Sequence, residues 1–341
     1  MAALGIIPGM KDDVASTLPL ADVHRVVMDA SALACHAHAA LALVVETEGS
    51  TYVRSGAMAL FDGPDAQVGW LSGGCLEPDI EARALAAAQA GQMDWMEVDT
   101  RDDEDLLSGS AVGCRGRLTL ALLPLAQLRG WGEAVKAWRG GADLQLTLQP
   151  AAQGRVAVGF GQARWELPSA PVPQAAQAGA ALLFKAPPQV VLFGAGPEMP
   201  LLLPLLRNAG WMTTLVERRP RWSPTAQRPL PADDWQASTP ATAAALPALA
   251  TADAALVMHH NFELDREALE ILAATDIPFI GLLGPHRRRE DLFRLLPRSA
   301  TSALGKRLRS PVGLDLGGHG AHAIALSIAA QLQAWHHGRT A

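Results

Sequence analysis

Apolar and polar positions along this 341-residue chain follow more than one period. Val23, Val26, Val27, Ala30 and Leu33 recur at helical spacing and predict an amphipathic helix over 21–38. Ala39 to Val45 is a continuous apolar run suited to a buried strand. Ala57 to Phe61 and Gln67 to Leu71 read as a hairpin around Asp62-Gly63-Pro64-Asp65. An Ala-rich helix opens near Glu77 and runs to Ala90, and strands are expected over 93–99 and 118–123. Short strands over 144–148, 155–160 and 162–166 occupy a middle section, and the Pro-rich stretch Ser169 to Pro173 reads as a linker.

The pattern changes after Pro187-Pro188. Gln189–Phe193, Thr213–Val216, Ala254–Met258 and Phe279–Leu283 are short unbroken apolar runs of the parallel-strand type. They alternate with helical patterns over 198–209, 265–274 and 321–334. The expected class is α/β: an N-terminal α/β domain over 1–130, a middle segment and linker over 131–186, and a parallel-sheet domain over 187–341.

Three loops carry the candidate chemistry. In the first, Glu46 to Gly56, Gly49 and Ser50 offer amides and a hydroxyl, and Arg54 offers a guanidinium fork for an oxyanion. An ordinary surface turn is the plain alternative. The second runs Ser72-Gly73-Gly74-Cys75 into a helix whose first turn holds Glu77 and Pro78. Amides at a helix start favour an anion, so the stretch reads as an anion cradle with a soft nucleophile or metal ligand, Cys75, at its lip. A small buried cysteine at a strand–turn–helix corner is its plain alternative. The third, 108–117, repeats glycine and serine with Cys114 and Arg115. Together they predict one convergent pocket for an anionic, phosphate-bearing ligand with a soft centre.

A fourth signal lies in the second half. Phe193 is followed by Gly194-Ala195-Gly196, a helix, a strand, and Glu217, which stands 21 residues after Gly196. That order matches a Rossmann-like dinucleotide unit, with the diphosphate at the helix start and Glu217 on a ribose hydroxyl. Met199 replaces the third glycine, Pro197 and Pro200 crowd the first turn, and Pro204 is expected to kink the helix. Fold is therefore separable from ligand here. His259 and His260 follow a late strand and read as a hydrogen-bonding loop rather than a metal site. Arg287 to Arg289 either clamps a phosphate or begins a solvated helix.

With 49% hydrophobic and 18% charged residues, the chain can bury a sizeable core. A net charge of −6 argues against broad nucleic-acid binding. No signal-peptide pattern and no membrane-length apolar run are evident. Three cysteines, Cys35, Cys75 and Cys114, make no disulfide framework, which fits a reducing cytoplasm.

These residues together resemble the xanthine dehydrogenase accessory family of the XdhC/CoxI type. Thr47-Glu48-Gly49-Ser50 with Arg54 and Gly56, Ser72-Gly73-Gly74-Cys75-Leu76-Glu77, and Gly113-Cys114 match its N-terminal domain. Phe193-Gly194-Ala195-Gly196, Phe279 to Gly284 with Arg287 to Arg289, Pro311-Val312-Gly313-Leu314-Asp315 and Ile324 to Ala330 match its Rossmann domain. The resemblance implies a homodimeric chaperone for molybdenum cofactor, an accessory factor and not a turnover enzyme. Such a protein holds the cofactor while a cysteine desulfurase supplies sulfur, then delivers it to a molybdenum hydroxylase. Cys75 becomes the first candidate ligand of the molybdenum and Cys114 the second, with Cys35 read as core. The family's Thr-His-Asp-His is His259-His260-Asn261-Phe262 here, so the acid and the last histidine of that motif are missing. The competing reading is an NAD(P)-dependent oxidoreductase built on Gly194, Gly196 and Glu217, or a nucleotide-sensing regulator on the same unit.

Overall fold

The computed structural model describes residues 20–32, 36–64, 66–101, 116–225 and 230–338. The chain divides into two compact units, 1–136 with 143–185, and 137–142 with 186–341.

In the first unit, α1 (Leu20–Ala32) precedes β1 (Ala40–Gly49), β2 (Met58–Phe61) and β3 (Gln67–Val68). Then come α2 (Glu77–Ala90), β4 (Asp94–Asp99) and β5 (Gly116–Pro124). The five strands form an antiparallel sheet in the order β3-β2-β1-β5-β4. The small side chains of α2 let it lie close on one face: Ile80, Ala84, Ala87 and Ala88 pack against Ala40, Ala42, Val44, Leu120 and Leu122. The helix stops at Gly91, which adopts φ 60° and returns its amide to Ala87 and Ala88. Antiparallel pairing has one consequence for function. The ends of β1, β3 and β4 and the starts of β2 and β5 all lie at one sheet edge, so the loops 50–57 and 69–76 lie at that edge together with Thr100, Arg101 and Gly116.

Helix α3 (Trp131–Arg139) follows, then β6 (Leu144–Ala151), β7 (Arg155–Phe160), β8 (Ala163–Pro168) and β9 (Ala180–Phe184). These strands form a second antiparallel sheet, β8-β7-β6-β9. Trp131 stacks on Phe160 with ring centroids 4.3 Å apart. Residues 143–185 belong to the first unit and do not form a separate middle section. The Pro-rich stretch read as a linker is tied down, because Met93 donates to the Pro168 carbonyl and Ala170 donates to the Met93 carbonyl.

The second unit runs β10 (Gln189–Phe193), α4 (Met199–Asn208), β11 (Met212–Val216), β12 (Asp234–Gln236), α5 (Pro240–Ala243) and α6 (Pro247–Thr251). It continues with β13 (Ala254–Val257), α7 (Phe262–Ala273), β14 (Phe279–Leu282) and α8 (His286–Leu295). It closes with α9 (Arg298–Leu304), β15 (Leu308–Arg309) and α10 (Gly320–His336). Six parallel strands pair in the order β12-β11-β10-β13-β14-β15. Counted within the unit this is 3-2-1-4-5-6, the order of dinucleotide-binding folds. The unbroken apolar runs are explained by cover on both faces. Val190 and Leu192 pack with α4 and α10, while Val191 and Phe193 pack with α7 and α8. Helix α4 runs through Pro204, so this proline does not end it.

Gly194, at φ 93°, is where β10 meets the loop after β13. A Cβ there would stand 2.4 Å from His259 Cα and 2.6 Å from His259 N. Neither backbone atom can give way without moving β13. Gly194→Ala is therefore expected to cost about 3 kcal/mol through strain and overpacking, read as a lower urea midpoint.

Candidate functional site

The loop from Gly69 to Leu76 is built around two buried side chains of its own. Glu77, the first residue of α2, is 5% exposed, and Ser72 is 3% exposed. Glu77 Oε1 accepts the amides of Leu71 at 3.1 Å and Ser72 at 2.7 Å, and its Oε2 accepts the Ser72 hydroxyl. Ser72 Oγ in turn accepts the amides of Gly74 and Leu76, each at 3.1 Å. Burial alone would push the Glu77 carboxyl up, but the Ser72 hydroxyl and the Ser72 and Leu71 amides outweigh it and hold it below its ordinary value.

This corrects the anion-cradle expectation in part. The amides of Leu71, Ser72, Gly74 and Leu76 are already used by Glu77 and Ser72, so the anion at this helix start is the chain's own carboxylate. Ser72 and Glu77 shape the loop and do not face outward. Gly73, Gly74 and Cys75 are exposed, and Cys75 Sγ lies 3.8 Å from Ser72 Oγ. The plain alternative of a buried cysteine does not hold.

The other loops come to the same place. Thr51, Ser72, Gly73, Leu76, Thr100 and Gly116 line one cavity of about 20 Å³. Gly116 lets them meet, because a Cβ there would lie 2.5 Å from Thr51 Cγ2 and 2.7 Å from the Glu48 and Ser50 carbonyls. Gly49 ends β1 opposite Gly116. Ser50 and Arg54 are exposed. Glu48 joins Arg101 and Arg117, each at 3.1 Å, across the same edge. The cavity has room for about one water, so any large ligand rests on the outer surface of the loops. Two residues there were not singled out from the sequence: Tyr52 and Trp70 are 60% and 55% exposed, rare for large aromatic rings. An aromatic inside a Gly- and Ser-rich loop was the available signal. Cys114 and Cys35 lie outside the described residues.

In the second unit, Gly194 and Gly196 stand at the C-terminal end of β10 and are buried. Glu217 is not presented to a ribose. It is 1% exposed, and its carboxylate accepts the Ala195 amide at 2.9 Å, the Arg219 amide at 2.7 Å and the Arg219 guanidinium at 2.6–3.1 Å. Burial pushes this carboxyl up, and the Arg219 hydrogen bonds with the Ala195 amide outweigh it, so it sits below its ordinary value. Arg219 also donates to the carbonyls of His259 and Ala195. The expected ribose reader is thus a strut inside the glycine turn.

The two histidines separate. His259 is buried, with its Nδ1 3.2 Å from Asp265 Oδ1, and Asp265 also accepts from Arg288 at 2.5 Å. His260, at φ 54°, is half exposed with Nε2 3.0 Å from Glu198 Oε2. The acids missing from the loop sequence are supplied from elsewhere, by Asp265 and Glu198. Arg288 is consumed internally, while Arg287 begins a solvated helix at 90% exposure. Among the described residues, no group of three or more His, Cys, Asp or Glu could hold a metal ion. Among them, no helix is long and apolar enough to cross a membrane.

A loop-rimmed antiparallel α/β unit followed by a six-stranded Rossmann unit defines a two-domain α/β protein. The XdhC Rossmann domain model matches residues 190–332, and the XdhC and CoxI family model matches residues 32–99. The chain belongs to the XdhC and CoxI family. It is 26% identical over 310 residues to a protein of Bacillus subtilis strain 168 named as a probable component of xanthine dehydrogenase, covering 86% of this chain and 92% of that protein. The crystal structure of a xanthine dehydrogenase from Bacillus halodurans is similar at a TM-score of 0.70 and 25% identity, over 92% of this chain and 96% of that one.

Glu77 carries a prediction with a sign. A carboxyl held low when folded stabilises the protein above its ordinary value of 4.5, and that contribution is lost as pH falls through the lower folded value. Glu77→Gln is expected to cost about 2 kcal/mol at neutral pH. Urea midpoints measured across a pH series should show wild type and variant converging below pH 4.5.

Proposed function

We propose that this chain is a maturation factor for a xanthine dehydrogenase-type molybdenum hydroxylase, holding molybdenum cofactor as cargo on the loop edge of its first unit. The observation that carries this reading is the meeting of the loops at one sheet edge with Cys75 exposed at their lip. A cysteine sulfur is a soft donor and suits molybdenum. Arg54, exposed on the first of these loops, offers a guanidinium to the pterin's phosphate. The exposed rings of Trp70 and Tyr52 offer flat faces to the pterin. A surface seat suits a carrier, because cargo held outside a deep pocket can be passed on. Cys114 is a second candidate ligand. In this reading a cysteine desulfurase supplies sulfur to the held cofactor, the hydroxylase then receives it, and the factor works in the cytoplasm as a homodimer. The names of the similar Bacillus proteins support a link to xanthine dehydrogenase. The oxidoreductase reading draws no support from Glu217, whose carboxylate is already engaged.

Gel filtration after incubation with molybdenum cofactor tests this. Molybdenum and pterin should co-elute in matched amounts with wild type, and the molybdenum should be lost from Cys75→Ala while its melting temperature stays unchanged. Equal loading of both proteins removes Cys75 as the ligand. Loading of neither removes the carrier function.

A further inference from the structure

The carrier reading leaves unused the end of the second unit where the parallel strands begin. Ligands of such sheets bind at the other end, outside the carboxyl ends of the strands. At the strand starts, a groove of about 530 Å³ opens between α6 and the turn before β14. Its walls are apolar and mostly small: Ala245, Leu246, Leu249, Ala250, Ala252 and Ile277. Ala245 and Ala250 are exposed, so the groove is open to solvent. A small molecule needs most of its surface covered, whereas an open apolar groove suits a segment of another protein.

The charge beside this groove is positive. Residues 286–309 hold eight Lys and Arg against two acids, Glu290 and Asp291, in a chain of net charge −6. Asp291 lies 3.0 Å from Arg294 and 3.9 Å from Arg287, and Asp265 holds Arg288. Arg298, Lys306 and Arg309 are exposed, and none pairs with a carboxylate among the described residues. Arg307 joins this basic run to the groove. Its guanidinium donates to the carbonyls of Thr275 at 2.6 Å and Ile277 at 2.9 Å, both on the groove wall, and to Ala303 on α9. Carbonyls hold the guanidinium without cancelling its charge, and Asp276 is the one acid on the wall. Leu295, 58% exposed, ends α8 between Arg294 and Arg298 in the sequence. An apolar centre with an arginine-rich rim is the anatomy of a protein interface. A nucleic acid would use the charge and leave the apolar wall uncovered. We propose that this end of the second unit docks a partner protein through an amphipathic helix. Leucine-type side chains fill the groove, and acidic side chains lie over Lys306, Arg307 and Arg309. The inference does not depend on the loop site of the first unit.

Fluorescence anisotropy of the full chain tests it, with a labelled helical peptide of about sixteen residues carrying Leu at i, i+3, i+4 and i+7 and Glu between. The peptide should bind saturably at low salt, and about ten-fold or more weakly in about 0.5 M salt, where surface charges are screened. The same peptide with Lys in place of Glu should not bind. Lys306→Glu combined with Arg309→Glu should weaken binding about ten-fold or more. Ala250→Arg should abolish it by filling the groove. All three positions are exposed, so melting temperatures should stay unchanged. If Ala250→Arg fails to fold, the charge variant carries the test. No binding by wild type, or equal binding by wild type and the charge variant, overturns the inference. Phosphatidylserine vesicles or duplex DNA bound in place of the peptide, and released by the charge variant, also overturn it and assign the face to a polyanion. A wild-type dimer that Ala250→Arg splits in sedimentation, without peptide binding, overturns it in favour of a second copy of this chain.

Discussion

A carboxylate taken out of water must be met by donors, and in both units the donors come from the loop that the carboxylate organises. Glu77 gathers the Leu71 and Ser72 amides and the Ser72 hydroxyl, and Ser72 gathers the next two amides. Glu217 gathers the Ala195 amide and the whole of Arg219, which in turn fastens the loop after β13. Each loop is thus ordered from within before any ligand arrives. Cys75 can stand exposed on a defined turn because Glu77 holds that turn from beneath.

The consequence differs between the units. In the first, the internal carboxylate leaves the lip of the loop free, with Gly73, Gly74 and Cys75 outward. In the second, it fills the place where a cofactor's ribose would bind, and Glu198 with His260 fills the place beside the second glycine. The same physical device opens one site and closes the other. The six-stranded sheet keeps the strand order of dinucleotide folds without keeping their ligand-facing groups, a reminder that architecture and ligand are separate properties.

Much of the fold was legible because its strands are unbroken apolar runs and its loops are marked by glycine. The strands of the second unit from β10 to β14 followed that rule, except β12. Edge strands β12 and β15 have three and two residues, too few to show a period. Strand β9 and helix α3 were also missed, although α3 carries Trp131 into the core. The loops' common chemistry was legible from Gly, Ser, Cys and Arg, and the antiparallel order then put them at one edge. The closures were not legible. An acid in a helix's first turn usually complements the helix dipole, and nothing local says that Glu77 reaches back to Leu71. Glu217 stood at the right distance from Gly196, but its fate was decided by Arg219, two residues on. His259 and His260 lacked an acid in their own loop because Asp265 lies a helical turn further on and Glu198 lies on another strand's loop.

The path of the chain has its own consequence for how the protein is made. Residues 137–142 belong to the second unit, yet 143–185 return to the first. The polypeptide therefore changes unit three times. During synthesis the first unit cannot complete its contacts until residue 185 has emerged, and by then six residues of the second unit are already waiting for partners not yet translated. A single cut in the chain therefore cannot yield both units whole.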